Sequence, residues 1–87
     1  MKYMCTWSIA PEKKIAITER FKENAEPMDG VNQLGRWFTL GTTKGFRLIE
    51  ADDPKAVKKM TRYWEDLGDF EVWPVLDEEE NMKSMGG

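Results

Sequence analysis

The chain has 87 residues, 40% of them hydrophobic and 33% charged, with a formal charge of −3. That is the size and composition of one small, ordinary globular domain, not of a disordered segment. There is no histidine and only one cysteine, Cys5. This removes Ser-His and Cys-His nucleophiles, an internal disulfide, a cysteine zinc cluster and the usual haem ligand.

The charge is unevenly placed. Residues 77–87, "DEEENMKSMGG", hold four of the sixteen acidic and one of the thirteen basic side chains, so residues 1–76 balance at twelve each. A neutral body carries no global signal for nucleic acid. No apolar run approaches the ~20 residues of a membrane span. The start, "MKYMCTWSIAP", is too short and polar for a signal peptide, so a cytoplasmic location and no membrane partner are expected.

The first element, "KYMCTWSI" (2–9), alternates Tyr3, Cys5, Trp7 and Ile9 with more polar positions and reads as a strand. "PEKKIAITERFKEN" (11–24) opens with Pro11 and Glu12, which suit a helix start, and gathers Ile15, Ile17, Thr18, Phe21 and Ala25 on one side. "EPMDG" (26–30) is turn chemistry. "VNQLGRWFTL" (31–40) and "KGFRLIEA" (44–51) read as two strands joined by the hairpin-length "GTT". Asp53 and Pro54 form an N-cap and first-turn pair, and Val57, Met60, Trp64 and Leu67 follow in one stripe, with Gly68 expected as the C′ residue. "DFEVWPVL" (69–76) is the last strand, placed at an edge by Pro74. The acidic segment after it, 77–87, is expected to be a flexible tail.

The order β-α-β-β-α-β is that of a ferredoxin-like α+β domain over residues 1–76, a four-stranded antiparallel sheet with two helices on one face. Strand parity then divides the side chains. Tyr3, Cys5, Trp7 and Ile9 suit the helix side. In the third strand Phe46 and Leu48 suit it better than Arg47, whose charge would need a buried partner, and this turns Glu50 toward the helices. The other face would carry Met4, Thr6, Ser8, Arg47, Ile49, Trp73 and Val75, too apolar to stay wet. Trp37 falls on either face according to a one-residue slip in the hairpin.

Two partners would cover such a face, a nucleic acid or a second sheet. "KGFRLIEADDP" (44–54) has the Lys-Gly-Phe opening of an RNA-reading strand, but Arg47, Leu48 and Ala51 stand where a small residue and two further aromatics belong. Lys55, Lys58, Lys59 and Arg62 are the remaining basic cluster, and they read as the solvated face of a helix. Nucleic acid is therefore not the expected partner.

"MKYMCTWSI", "LGRW" (34–37), "KGFRLIEADDPKAV" (44–57) and "DFEVWPVLD" (69–77) resemble a family of small uncharacterised proteins in the dimeric α/β-barrel, ferredoxin-like superfamily. The resemblance implies a homodimer whose sheets pair back to back, with Arg47, Ile49, Trp73 and Val75 in the interface. It also implies a ligand site between helices and sheet, as in superfamily members that include cofactor-free monooxygenases, haem-degrading enzymes, isomerases and decarboxylases. Haem chemistry of that kind uses a histidine this chain lacks, so no cofactor is expected.

Trp7, Trp37, Tyr63 and Trp64 would line such a pocket, although the plainer reading is that they fill a small core. Arg36, like Arg47, would either hold an anionic ligand bidentately or, on the plainer reading, form a salt bridge across the dimer. Glu50, if buried beneath the helices, is the candidate acid or base; at a wet strand end or paired with Arg36 it has no such role. Cys5 reads as a small buried hydrophobe. Gly35 and Gly45 mark bulges or close backbone approaches. The competing reading for the whole chain is a structural or adaptor dimer without a ligand.

Overall fold

The computed structural model describes residues 1–86. Strands β1 (Lys2–Ser8), β2 (Val31–Phe38), β3 (Lys44–Ala51) and β4 (Asp69–Val75) form one antiparallel sheet in the order β2-β3-β1-β4. Helices α1 (Lys14–Glu23) and α2 (Pro54–Arg62) make the two crossovers, and a third helix, α3 (Glu78–Gly86), follows β4. This is the ferredoxin-like arrangement expected from the element order. β4 is an edge strand, where the missing amide of Pro74 costs no ladder bond.

Helix α2 begins where Asp53 accepts a hydrogen bond from the Lys55 amide at 2.9 Å, with Pro54 in the first turn. Its stripe is used in full: Val57, Met60, Trp64 and Leu67 are all buried, with Cys5, Ile49 and Ala51 from the sheet beneath the helix. The helix itself stops at Arg62, earlier than Gly68 would have ended it. Gly68 serves another purpose, since a Cβ there would run into Ile9 and the Ser8 carbonyl oxygen. Helix α1 ends on Asn24, whose φ of 51° is left-handed and whose amide donates to the Phe21 carbonyl at 3.2 Å.

Register decides the faces. Cys5 lies opposite Arg47 and Val72, and Arg47 lies opposite Arg36, so these four share the helix side. Thr6, Phe46, Trp37 and Glu71 form the neighbouring cross-strand row on the open side. The expected parity of β3 is thereby reversed. Arg47 and Ile49 are buried under the helices, and Phe46, Leu48 and Glu50 face away from them. Trp73 and Val75 do lie on the open face, with Met4 and Lys2 as their cross-strand partners.

A bulge between Gln33 and Gly35 changes the parity of β2 midway. Strict alternation would send Gln33 and Arg36 to opposite faces. With Leu34 as the extra residue, both reach Arg47, and Trp37 goes to the open face. There the Trp37 ring occupies the space above Gly35, where no Cβ would fit, and on the other face the Trp7 ring lies over Gly45 in the same way.

The segment after β4 is helical. Asp77 Oδ1 accepts from the Glu80 amide at 2.8 Å and Glu80 Oε1 accepts from the Asp77 amide at 3.0 Å, a reciprocal capping box. Lys2 Nζ reaches both carboxylates at 3.2 Å. No residue of α3 is buried. No helix of the described residues is long and apolar enough to cross a membrane.

Candidate functional site

Among the described residues Arg47 is the one buried charged side chain, 5% exposed. Its cost is met by a partner 21 residues back in the chain, in the turn after α1. Glu26 accepts from Arg47 Nη1 at 2.6 Å and from Nη2 at 2.7 Å, a bidentate pair. Gln33 Oε1 accepts from Arg47 Nε at 2.9 Å, and the Trp64 indole N–H donates to Glu26. Four elements are thus tied together at one carboxylate: the turn before β2, β2, β3 and the segment after α2.

Burial alone would raise the pKa of Glu26. Hydrogen bonds from Arg47 and Trp64, and the charges of Arg47 and Arg36, outweigh it and hold the carboxyl below its ordinary range. A carboxylate held ionised in this way is a structural anion and a poor general base at neutral pH.

Arg36 stands beside this pair. Its Nη2 is 3.5 Å from Glu26 Oε1, and its guanidinium carbon is 5.3 Å from the centre of the Phe21 ring. Burial and the neighbouring Arg47 lower its pKa, against the opposing pull of Glu26. Two guanidinium groups therefore share one carboxylate.

A cavity of about 80 Å³ adjoins the cluster, under α1 and against the sheet. Trp7, Ile17, Phe21, Phe38, Trp64 and Phe70 supply most of its wall, with Arg36 and Arg47 at its polar side. A more polar cleft of about 310 Å³ shares Phe21, Arg36, Arg47 and Trp64 with it and reaches Tyr63, Asn24 and Glu26. Helix α1 covers this space without burying any side chain of its own; Ile15 is 78% exposed and Phe21 half exposed. Its tie to the second crossover is polar. Arg20 donates to the Tyr63 carbonyl oxygen at 2.8 Å and to Asp66 Oδ2 at 3.0 Å.

Of the residues singled out from the sequence, Trp7, Tyr63, Trp64 and Arg36 come together here. Trp37 does not, because the β2 bulge turns it to the open face, where it is 53% exposed. Glu50 is likewise outside, opposite Lys2 and Asn32 on the open side of the sheet, and does not line the cavity. Glu26, absent from the sequence-derived candidates, proves to be the organising carboxylate. Its only sequence signal is an acid in a turn, beside Pro27. Cys5 lines the cavity as a buried thiol whose pKa is raised by burial, against the charge of Arg47.

A four-stranded antiparallel sheet in this order, with its crossover helices on one side, is an α+β domain of the ferredoxin-like class. The chain belongs to the family described as a domain of unknown function, DUF3303, whose model matches residues 1–87. Among solved structures it is similar to an uncharacterized NIPSNAP-like domain protein from Burkholderia xenovorans. That similarity has a TM-score of 0.51 at 11% identity and covers 88% of this chain and 85% of the other. At this identity the likeness is one of fold. No curated protein matches the chain.

Proposed function

We propose that this protein is a cytoplasmic homodimer that binds a small organic molecule between α1 and the sheet. The observation that carries the ligand reading is the cavity itself. Aromatic and aliphatic side chains surround it, polar groups converge on one side, and the helix above it buries nothing of its own. A helix that merely completed a core would bring its apolar stripe into contact, as α2 does. Binding is favoured over proton transfer, because the buried carboxylate of the cluster, Glu26, is held ionised and is engaged by Arg47 and Trp64.

The dimer reading rests on the other face. Met4, Phe46, Leu48, Trp37 and Trp73 form an apolar surface on the open side of the sheet, Trp73 being 56% exposed. A second copy placed sheet to sheet would cover the patch. The charges there, Lys2, Lys44, Glu50, Asp69 and Glu71, are of both signs and give no stripe for phosphates.

Native mass spectrometry of protein purified from cells tests both parts. The expected species is twice the 10.1 kDa chain mass, with a bound small molecule released on denaturation. A dimer without a ligand would favour the adaptor reading. A monomer at high concentration, or steeply salt-dependent binding of single-stranded RNA to the open face, would overturn the dimer.

A further inference from the structure

We propose that Arg36 is the anchor for a small monoanion, a carboxylate on a flat apolar body, whose ring enters the cavity beneath α1. The inference rests on the ligand reading above and specifies its chemistry.

Charge is the first argument. Glu26 already receives two hydrogen bonds from Arg47 and one from Trp64. What remains for Arg36 is a contact of 3.5 Å and, among the described residues, no hydrogen bond. Its side chain is 19% exposed, so its charge is largely removed from water without a partner of its own. The Arg47–Glu26–Arg36 group carries one net positive charge, which matches a monoanion and leaves a dianion over-charged in a half-buried place. The planar guanidinium fork favours a carboxylate, which it can grip with two parallel hydrogen bonds.

Placement is the second argument. The β2 bulge is what brings Arg36 to the helix face together with Gln33, and bulges that re-aim a side chain recur beside binding sites. Gln33 is occupied by Arg47, whereas Arg36 lies on the wall shared by the apolar cavity and the polar cleft. Phe21 holds its guanidinium from above by a cation–π contact.

Size is the third. A cavity near 150 Å³ accommodates benzene, so the 80 Å³ here takes one ring only by drawing on the adjoining cleft or by a small outward shift of α1. A single ring or a short branched chain is the limit.

Benzoate and its neutral counterpart benzyl alcohol are the probes, read by the indole N–H signals of Trp7 and Trp64 in nitrogen-15 NMR titrations at neutral pH. Benzoate is expected to bind at least about tenfold more tightly than benzyl alcohol, the usual gain from a charge-assisted pair. Arg36→Gln should bring the ratio of the two affinities, measured in the same variant, close to one, and Arg36→Lys should restore part of it. Equal affinities in the unaltered protein, or a difference that survives Arg36→Gln, would overturn the anchor and leave the cavity reading standing. If neither probe moves the two indole signals at about 10 mM, the cavity reading fails as well. The comparison within the unaltered protein decides the matter even if a variant does not fold.

Discussion

The two crossover helices lie on the same face of the same sheet and meet it differently. Helix α2 places Val57 and Met60 in the core, and Trp64 and Leu67 are buried in the segment that follows. Helix α1 carries a much weaker apolar stripe, none of its side chains is buried, and its firmest anchor is the Arg20–Asp66 pair. A four-stranded sheet gives both helices the same opportunity. The lesson is that an amphipathic pattern predicts a covering helix, and the packing beneath it decides whether that cover is core or roof. Under α2 the sheet presents Cys5, Ile49 and Ala51, small enough to let the helix close. Under α1 it presents Trp7, Phe38 and the arginine cluster, which hold the helix away.

The largest test of that contrast is the carboxylate between the two regions. Glu26→Ala leaves Arg47 buried and unpaired, and should lower stability by about 3–5 kcal/mol in a denaturant titration. A loss below about 1 kcal/mol would mean that water reaches Arg47. Met60→Ala, under α2, should cost about 2–5 kcal/mol, while Ile15→Ala in α1 should stay within about 0.5 kcal/mol. Equal losses at the two sites would erase the distinction between core and roof.

Acid should act through the same cluster. The pKa of Glu26 is lower folded than unfolded, so its ionised form stabilises the fold. That contribution is complete above the unfolded value of about 4.3 and is lost as pH falls through the lower folded value. Thermal melts should therefore show stability dropping in that acid window, and Glu26→Gln should flatten this part of the profile. An unchanged slope would place the acid response elsewhere.

A finer measure is amide hydrogen exchange, in which α1 should exchange at least about tenfold faster than α2, because helices with few buried contacts open locally. The smallest effect is expected at the C-terminal helix. Truncation after Leu76 removes an element without a buried residue, and the remaining domain should still unfold cooperatively, its far-UV circular dichroism losing only the helical signal of α3. Loss of folding would show that the Lys2 contacts to Asp77 and Glu80 hold β1 in place.

The element order and the principal stripe follow from local signals. Pro11, Asp53-Pro54, the "GTT" connection and Pro74 act within a few residues of themselves, and so do the alternation of β1 and the Val57-Met60-Trp64-Leu67 spacing. Such signals survive without tertiary context. The acidic segment also carried one that is local, since Asp77 followed three residues later by Glu80 is a capping box, although the reading as a tail passed over it.

Tertiary structure alone decided the parity of β3. Both of its faces are apolar, Phe46 and Leu48 on one and Ile49 and Ala51 on the other, so hydrophobicity could not choose between them. The deciding term was the position of Arg47, read from sequence as too costly to bury. Its burial is made tolerable by Glu26, Gln33 and Trp64, which lie 21, 14 and 17 residues away in the chain and meet only on folding. The bulge at Leu34 completed the choice by bringing Arg36 under α1 and sending Trp37 out. A buried charge is a long-range decision, because its cost belongs to the residue and its compensation to the fold.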